Sequence, residues 1–322
     1  MRRRDFMGAL AAAGLPAAGS AQDARKIYRL AVLAQSSPSV EAVRSIVVPE
    51  LAKHGFVEGV NLVVDLHAGP DDELPSLARE IVDRAPDAIL TIASQPTRAA
   101  RGRTSTIPIV LFGGEDAIAE GFAETLARPG GNVTGVVIMA VQLDGKRLQL
   151  LHEAVPSARR VAVLLYRGEP LHNRTAQELH TAATALGLDL QVLSALGRDD
   201  FPAAFADMKN SGAQALLIGA YARFFEHRIE LARLALAAQL PTICEWASMA
   251  RDGCLIGYGP DRAALYRSAA IKIARVFQGT APADLPIEQP ALFTFAVNLG
   301  TARTLGLELP QSLLARADEV IE

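Results

Sequence analysis

The chain has 322 residues, half of them apolar, 21% charged and only 5% aromatic, with a formal net charge of −3. That length fits two domains of ordinary size, each able to bury its own core. Lys and Arg are scattered and form no basic run, which excludes a nucleic-acid surface of the usual electrostatic kind. Past the N-terminal segment no run of about 18 apolar residues occurs, so no membrane span is expected.

The chain opens on Arg2-Arg3-Arg4-Asp5-Phe6-Met7, followed by the small apolar stretch from Gly8 to Ala18. Gly19-Ser20-Ala21 then gives a small-x-small pattern. This is the layout of an export signal over residues 1–21, cut after Ala21. The Arg-Arg-x-Phe-Met order is of the twin-arginine kind, with the general export route as the alternative. The apolar stretch is too short for a bilayer core of about 30 Å. No Cys follows it, so no lipid anchor is expected. The mature chain is expected in the periplasm. Such an oxidising space permits a disulfide between Cys244 and Cys254, although both also lie in apolar surroundings where buried free thiols are common.

From Tyr28 onward, short β-rich runs alternate with amphipathic helical runs. A first strand is expected over 28–34, then a helix from Ser39 to Lys53 stopped by Gly55. Strands follow at 60–67, 87–93, 107–112 and 132–139, with helices at 77–84 and 116–128. The rhythm restarts after residue 144. A helix at 146–154 leads to a strand at 160–166 that repeats the first strand's pattern. Further strands are expected near 188–194, 214–219, 240–245, 254–258 and 292–297. Helices lie near 174–186, 202–210, 225–238 and 261–278. Apolar strands alternating with helices imply an α/β fold with parallel sheets covered on both faces, joined by right-handed crossovers. Two such runs in succession imply two Rossmann-like lobes.

In open α/β sheets the ligand sits beyond the carboxyl ends of the strands. That rule singles out Gln35-Ser36-Ser37, His67, Ser94-Gln95, Gly113-Gly114, Tyr166, Tyr221, Glu245-Trp246 and Tyr258. In Ser94-Gln95-Pro96-Thr97 the proline suits a first helical turn. The free N–H groups and positive dipole end there favour an anion such as a carboxylate. Ser36 and Ser37 add hydroxyls after the first strand. Tyr166, Tyr221, Trp246 and Tyr258 supply aromatic walls with polar tips, which suit an organic solute. Glu245 can pair with a ligand amine or with a neighbouring Arg. Each of these also has a plain structural use as a cap or an edge-packing side chain. No dinucleotide fingerprint, phosphate loop or nucleophile elbow is present, and the histidines and cysteines show no metal-ligand spacing. No catalytic residue, metal or cofactor is therefore expected.

Several longer stretches resemble the bacterial ABC-transporter substrate-binding proteins of the tryptophan/tyrosine-binding type. They are Leu126-Ala127-Arg128-Pro129-Gly130-Gly131-Asn132-Val133-Thr134-Gly135-Val136, Arg160-Val161-Ala162-Val163-Leu164, Gly257-Tyr258-Gly259-Pro260 and the C-terminal Ser312-Leu313-Leu314-Ala315-Arg316-Ala317-Asp318-Glu319. The resemblance covers roughly residues 27–322. It implies the type 1 periplasmic binding protein fold, with three crossover segments near 136–144, 250–256 and 286–296. Lobe one is then 27–140 plus 255–285, and lobe two 141–254 plus 286–322. It further implies capture of a small polar organic molecule between the lobes by hinge closure, and delivery to the membrane permease of an ABC importer. The alternatives are a ligand-sensing subunit of a receptor system and, less in keeping with the missing motifs, an exported α/β transferase. Three positions depart from the family pattern. Ser94-Gln95-Pro96 stands where Gly-Thr-Pro is common, Glu115-Asp116-Ala117 where Asp-Pro-Val is, and Tyr166-Arg167 where Asn-Pro is. All three lie where ligand should touch, so an aromatic amino acid does not follow as the solute.

Overall fold

The computed structural model describes residues 26–322 apart from Ser36, Glu115 and Pro170. The expected export signal at 1–21 lies outside the described residues. Among them, no helix is long and apolar enough to cross a membrane.

Lobe one begins with β1 (Tyr28–Ala34) and a helical stretch. That stretch runs through α1 (Ser37–Ala42), a π-helical turn (Val43–Val47) and α2 (Val48–Lys53). Then come β2 (Leu62–Ala68), α3 (Leu74–Asp83), β3 (Ala88–Ile92), α4 (Ser94–Arg101), β4 (Ile109–Phe112) and β5 (Val133–Val136). The five strands are parallel, in the order β2-β1-β3-β4-β5. Alternation divides each strand between two cores. Leu30, Val32 and Ala34 of β1 join one cluster, Ala31 and Leu33 the other. Both faces are covered, which is why these strands read as continuous apolar runs.

Lobe two opens with α5 (Ala140–Ala154), β6 (Arg160–Tyr166), α6 (His172–Ala185), β7 (Asp189–Ala195) and α7 (Phe201–Asn210). It continues with β8 (Ala215–Ile218), α8 (Ala222–Glu226), α9 (Arg228–Ala237), β9 (Thr242–Cys244), α10 (Ala247–Arg251) and β10 (Ile256–Pro260). The chain then returns to lobe one. Helix α11 (Arg262–Phe277) packs on β3, β4, β5 and α2. The segment 285–288 bridges to β5 through Val136 and Glu288. Lys272 of α11, 3% exposed, ties that segment down by donating to Pro286 O at 2.6 Å and pairing with Glu288 at 2.8 Å. The chain ends in lobe two with β11 (Phe293–Asn298), α12 (Leu299–Thr304), α13 (Gln311–Leu314) and β12 (Glu319–Ile321).

The second sheet has the order β12-β11-β10-β9-β8-β6-β7, with β11 antiparallel to β10 and all other pairs parallel. Its first five strands repeat the order of lobe one, so each lobe has a switch point: β1/β3 in one, β6/β8 in the other.

Two expectations need correction, and one open point is settled. Strand β10 pairs with β9 and β11, so residues 256–260 belong to lobe two and not to lobe one. The second crossover therefore falls just after Pro260 instead of at 250–256. The helix expected over 116–128 is a series of turns. Asp116 Oδ1 accepts from the Ile118 and Ala119 N–H groups, and Gly121 adopts φ +71°, which an α-helix does not tolerate. The two cysteines, left open on sequence grounds, are joined as Cys244–Cys254 and fully buried.

Candidate functional site: a cleft between the lobes

The carboxyl ends of β1 and β3 face those of β6 and β8 across a cleft. It holds about 650 Å³ of atom-free space, open solvent at its mouth included. Lobe one contributes Gln35 and Ser39 after β1, Ala93-Ser94 after β3 and Gly113-Gly114 after β4. Lobe two contributes Tyr166 and Glu169 after β6, Tyr221 and Arg223 after β8, and Glu245-Trp246 after β9. Both switch points thus open onto one space.

Ala93 sits at φ +80°, ψ 172°, a region that glycine normally occupies. The bend turns the chain from β3 directly into α4 at the cleft wall. Glu245 and Trp246 are held by a different device. β10 passes so close beneath them that a Cβ on Gly259 would meet Glu245 O at 1.9 Å, and one on Gly257 would meet Trp246 O at 2.3 Å. The Gly-x-Gly pattern is a packing requirement of the strand. The Cys244–Cys254 bond closes the loop that carries Glu245, Trp246 and α10.

Polar bonds cross the mouth of the cleft. Asp71, in the turn after β2, accepts from Gln35 Nε2 at 2.6 Å and from the Tyr166 hydroxyl of lobe two. Arg223 Nη2 lies 3.8 Å from the same carboxylate. Gln95 Nε2 donates to Gly168 O at 2.7 Å, and Arg174 pairs with Asp116 at 3.3 Å. The lobes are closed on each other.

The chemistry inside is carried by the acids Glu169 and Glu245 and the guanidinium groups of Arg223 and Arg262. Glu245 is 4% exposed, and burial pushes its carboxyl up to about 7 against the opposing charges of Arg147 and Arg262. Glu169 is 8% exposed and its Oε1 has no hydrogen-bond partner among the described residues. Burial and the nearby charges of Glu120 and Asp71 push it up to about 8, while Arg98 pulls the other way. Arg262, the first residue of α11, stacks over Phe225 with its Cζ 4.2 Å from the ring centroid, and lies 5.2 Å from the Tyr266 ring. This contact also joins the lobes, since Phe225 belongs to α8. Tyr266 stacks on Phe112 at 3.7 Å, so the floor of the cleft is aromatic. Among the described residues, no group of three or more His, Cys, Asp or Glu is placed to hold a metal ion.

Of the residues singled out from sequence, Ser94, Gly113, Tyr166, Tyr221, Glu245 and Trp246 line the cleft together. Ser36 lies outside the described residues. Ser37 is exposed and does not line the space. Gln95 also lies outside the lining and serves the interlobe bond instead. Thr97, within α4, is fully buried, donating to Ala93 O at 2.9 Å and paired with Thr91 Oγ1 at 2.7 Å, so it is a core residue. Tyr258 points away: with Gly257 and Gly259 turned toward Glu245-Trp246, strand alternation sends its side chain to the other face, against Phe293 and Phe295.

Sequence reasoning missed Glu169, Arg223, Arg262 and Tyr266 as lining residues. Arg262 and Tyr266 follow a strand that was assigned to the wrong lobe. Glu169 lies three residues past its strand, beyond the reach of a strict strand-end rule.

A model of the family described as ABC transporter substrate binding protein matches residues 30–321. A curated Tyrosine-binding protein of Clostridioides difficile is 27% identical over 148 residues, 45% of this chain and 42% of that protein. The matched stretch thus spans less than half the length of that relative. Among solved structures, a conserved domain protein from Vibrio cholerae superposes with a TM-score of 0.86 at 24% identity, covering 92% of this chain and all of that one. An ABC domain in complex with L-Trp from Streptococcus pneumonia gives 0.85 at 20% identity, with the same coverage. The shared architecture is the type 1 periplasmic binding protein fold. The chain belongs to the ABC transporter substrate-binding protein family.

Proposed function

We propose that the chain is exported, that its mature form traps a small polar organic solute between the two lobes, and that it hands the closed complex to the permease of an ABC importer in the periplasm. The observation that carries this reading is the single cleft formed where both switch points meet, with bonds from Asp71, Gln95 and Arg174 crossing its mouth. Hinge closure of this kind makes the trapped solute part of the surface that a partner reads. Tyr166, Tyr221 and Trp246 form the walls around the solute body, Ser94 and Gly113 the lobe-one face, and Glu245 a buried polar contact. The N-terminal pattern from Arg2 to Ala21 supports export, by the twin-arginine route in particular.

A thermal-shift screen of the purified mature protein tests the reading. A true solute at 100 times its dissociation constant should stabilise the protein by about 2.7 kcal/mol and should be recovered unchanged. Turnover of the hit would point instead to an enzyme.

A further inference from the structure

The start of α4 is where a ligand carboxylate is expected, yet an anion already sits there and it belongs to the chain itself. Glu120, its side chain 1% exposed, accepts from Ser94 Oγ at 2.8 Å and pairs with Arg98 Nη2 at 3.2 Å. The Ser94 hydroxyl and the Arg98 charge are thereby engaged from within. Across the cleft, Glu169 of lobe two brings a second buried carboxyl toward Glu120; its side chain lines the cleft, and its buried Oε1 has no partner among the described residues. A buried polar atom left unmatched costs free energy, and the structure retains it on a side chain that lines the cleft.

We propose that the solute selected by this cleft presents a cationic nitrogen to Glu169, and that Glu120 excludes a solute carboxylate from the start of α4. The inference rests on the solute-binding reading. Closure sets Glu169 against Glu120 and Asp71, three acids from two lobes. The opposing charge on that side comes from Arg98, already on Glu120, and from Arg223, which lies near Asp71 and pairs with Glu226 at 3.4 Å. Asp71 is further hydrogen-bonded by Gln35 and Tyr166. A cation placed at Glu169 relieves this repulsion in the closed state alone, which is how a ligand shifts a population toward closure. The raised position of Glu169, up to about 8, adds a signature: the empty cleft holds a proton that a bound cation displaces.

The test is isothermal titration of the mature protein with three sets of probes: cations without a carboxylate (tyramine, tryptamine, agmatine, putrescine), neutral analogues such as tyrosol and sugars, and anions such as 4-hydroxyphenylacetate. At least one cation should bind. Its affinity should rise with pH by up to about tenfold per unit below the titration of Glu169, with proton release. Glu169→Gln should weaken it roughly 10- to 100-fold without lowering the melting temperature of the empty protein. Glu120→Gln, which frees Ser94 and Arg98, should add a response to 4-hydroxyphenylacetate. Binding confined to neutral or anionic probes, or cation binding untouched by Glu169→Gln, overturns the inference and leaves the solute-binding reading in place. A flat response to every set sinks both.

Discussion

Tyr258 and Glu245 lie on adjoining segments yet differ in what they are for, and the difference is one of direction. Tyr258 packs on Phe293 and Phe295, with ring centroids 6.3 and 6.2 Å away. Tyr258→Ala should therefore cost about 2 kcal/mol of stability, read from denaturant unfolding, while solute affinity in the folded fraction stays at wild type. A large affinity loss at unchanged stability would put the side chain back in the cleft. Glu245 titrates near 7 in the folded chain and at its ordinary 4.5 when unfolded. The folded state then holds the proton longer, so stability contributed by this group is greatest below pH 4.5 and falls as pH rises toward 7. Glu169 acts in the same direction up to about 8. Melting curves of the empty protein should show that fall, and Glu245→Gln should flatten part of it. A slope that Glu245→Gln leaves unchanged would mean the carboxyl is already ionised. Which side chains reach the cleft was only half legible in sequence. The strand-end rule found Tyr166, Tyr221 and Trp246. It had no means of knowing that two close-packed glycines would turn Tyr258 outward.

At the scale of elements, the strands were the most readable parts because burial on both faces leaves them almost wholly apolar. Tyr28–Ala34 and Arg160–Tyr166 stand at the bounds the pattern gives. The stretch 116–128 misled for an instructive reason. Its helical periodicity is real, but Gly121 and the Asp116 turn break it and bring Glu120 onto α4. The β3–α4 junction carries the opposite conflict, a residue with a side chain where glycine fits. A backbone position of this sort costs about 1–3 kcal/mol, and glycine forfeits about 0.5–1 kcal/mol in unfolded-state entropy. Ala93→Gly should thus stabilise the protein by roughly 1 kcal/mol. Chemical denaturation measures this, and a loss of stability would show that the bend is not strained.

Taken as a whole, the molecule is two similar units, and on the proposed reading the bonds across the cleft mouth hold them closed. The Tyr166–Asp71 bond is charge-assisted, a class that contributes about 1.5–3 kcal/mol. Tyr166→Phe removes the hydroxyl and keeps the ring, so the empty protein should open. Small-angle scattering should report a larger radius of gyration, and solute affinity should drop roughly tenfold for each 1.4 kcal/mol withdrawn from the closed state. An unchanged radius with full affinity would show that closure rests on other contacts. The two-lobed plan was visible in the repeated rhythm of the sequence. The second crossover was not, because the short Ile256–Pro260 stretch carries no sign of which sheet it joins.

Helix α11 has a consequence for how the chain is made. It packs on the sheet of lobe one, yet it leaves the ribosome long after β5, once β6 to β10 of lobe two have emerged. Until then the part of the first sheet that α11 packs on, with Leu90, Ile92, Val110 and Phe112 on that side, lacks this cover. The part synthesised first is the part finished late, so a nascent chain interrupted near Pro260 exposes its earliest core, and this is where a chaperone has most to hold.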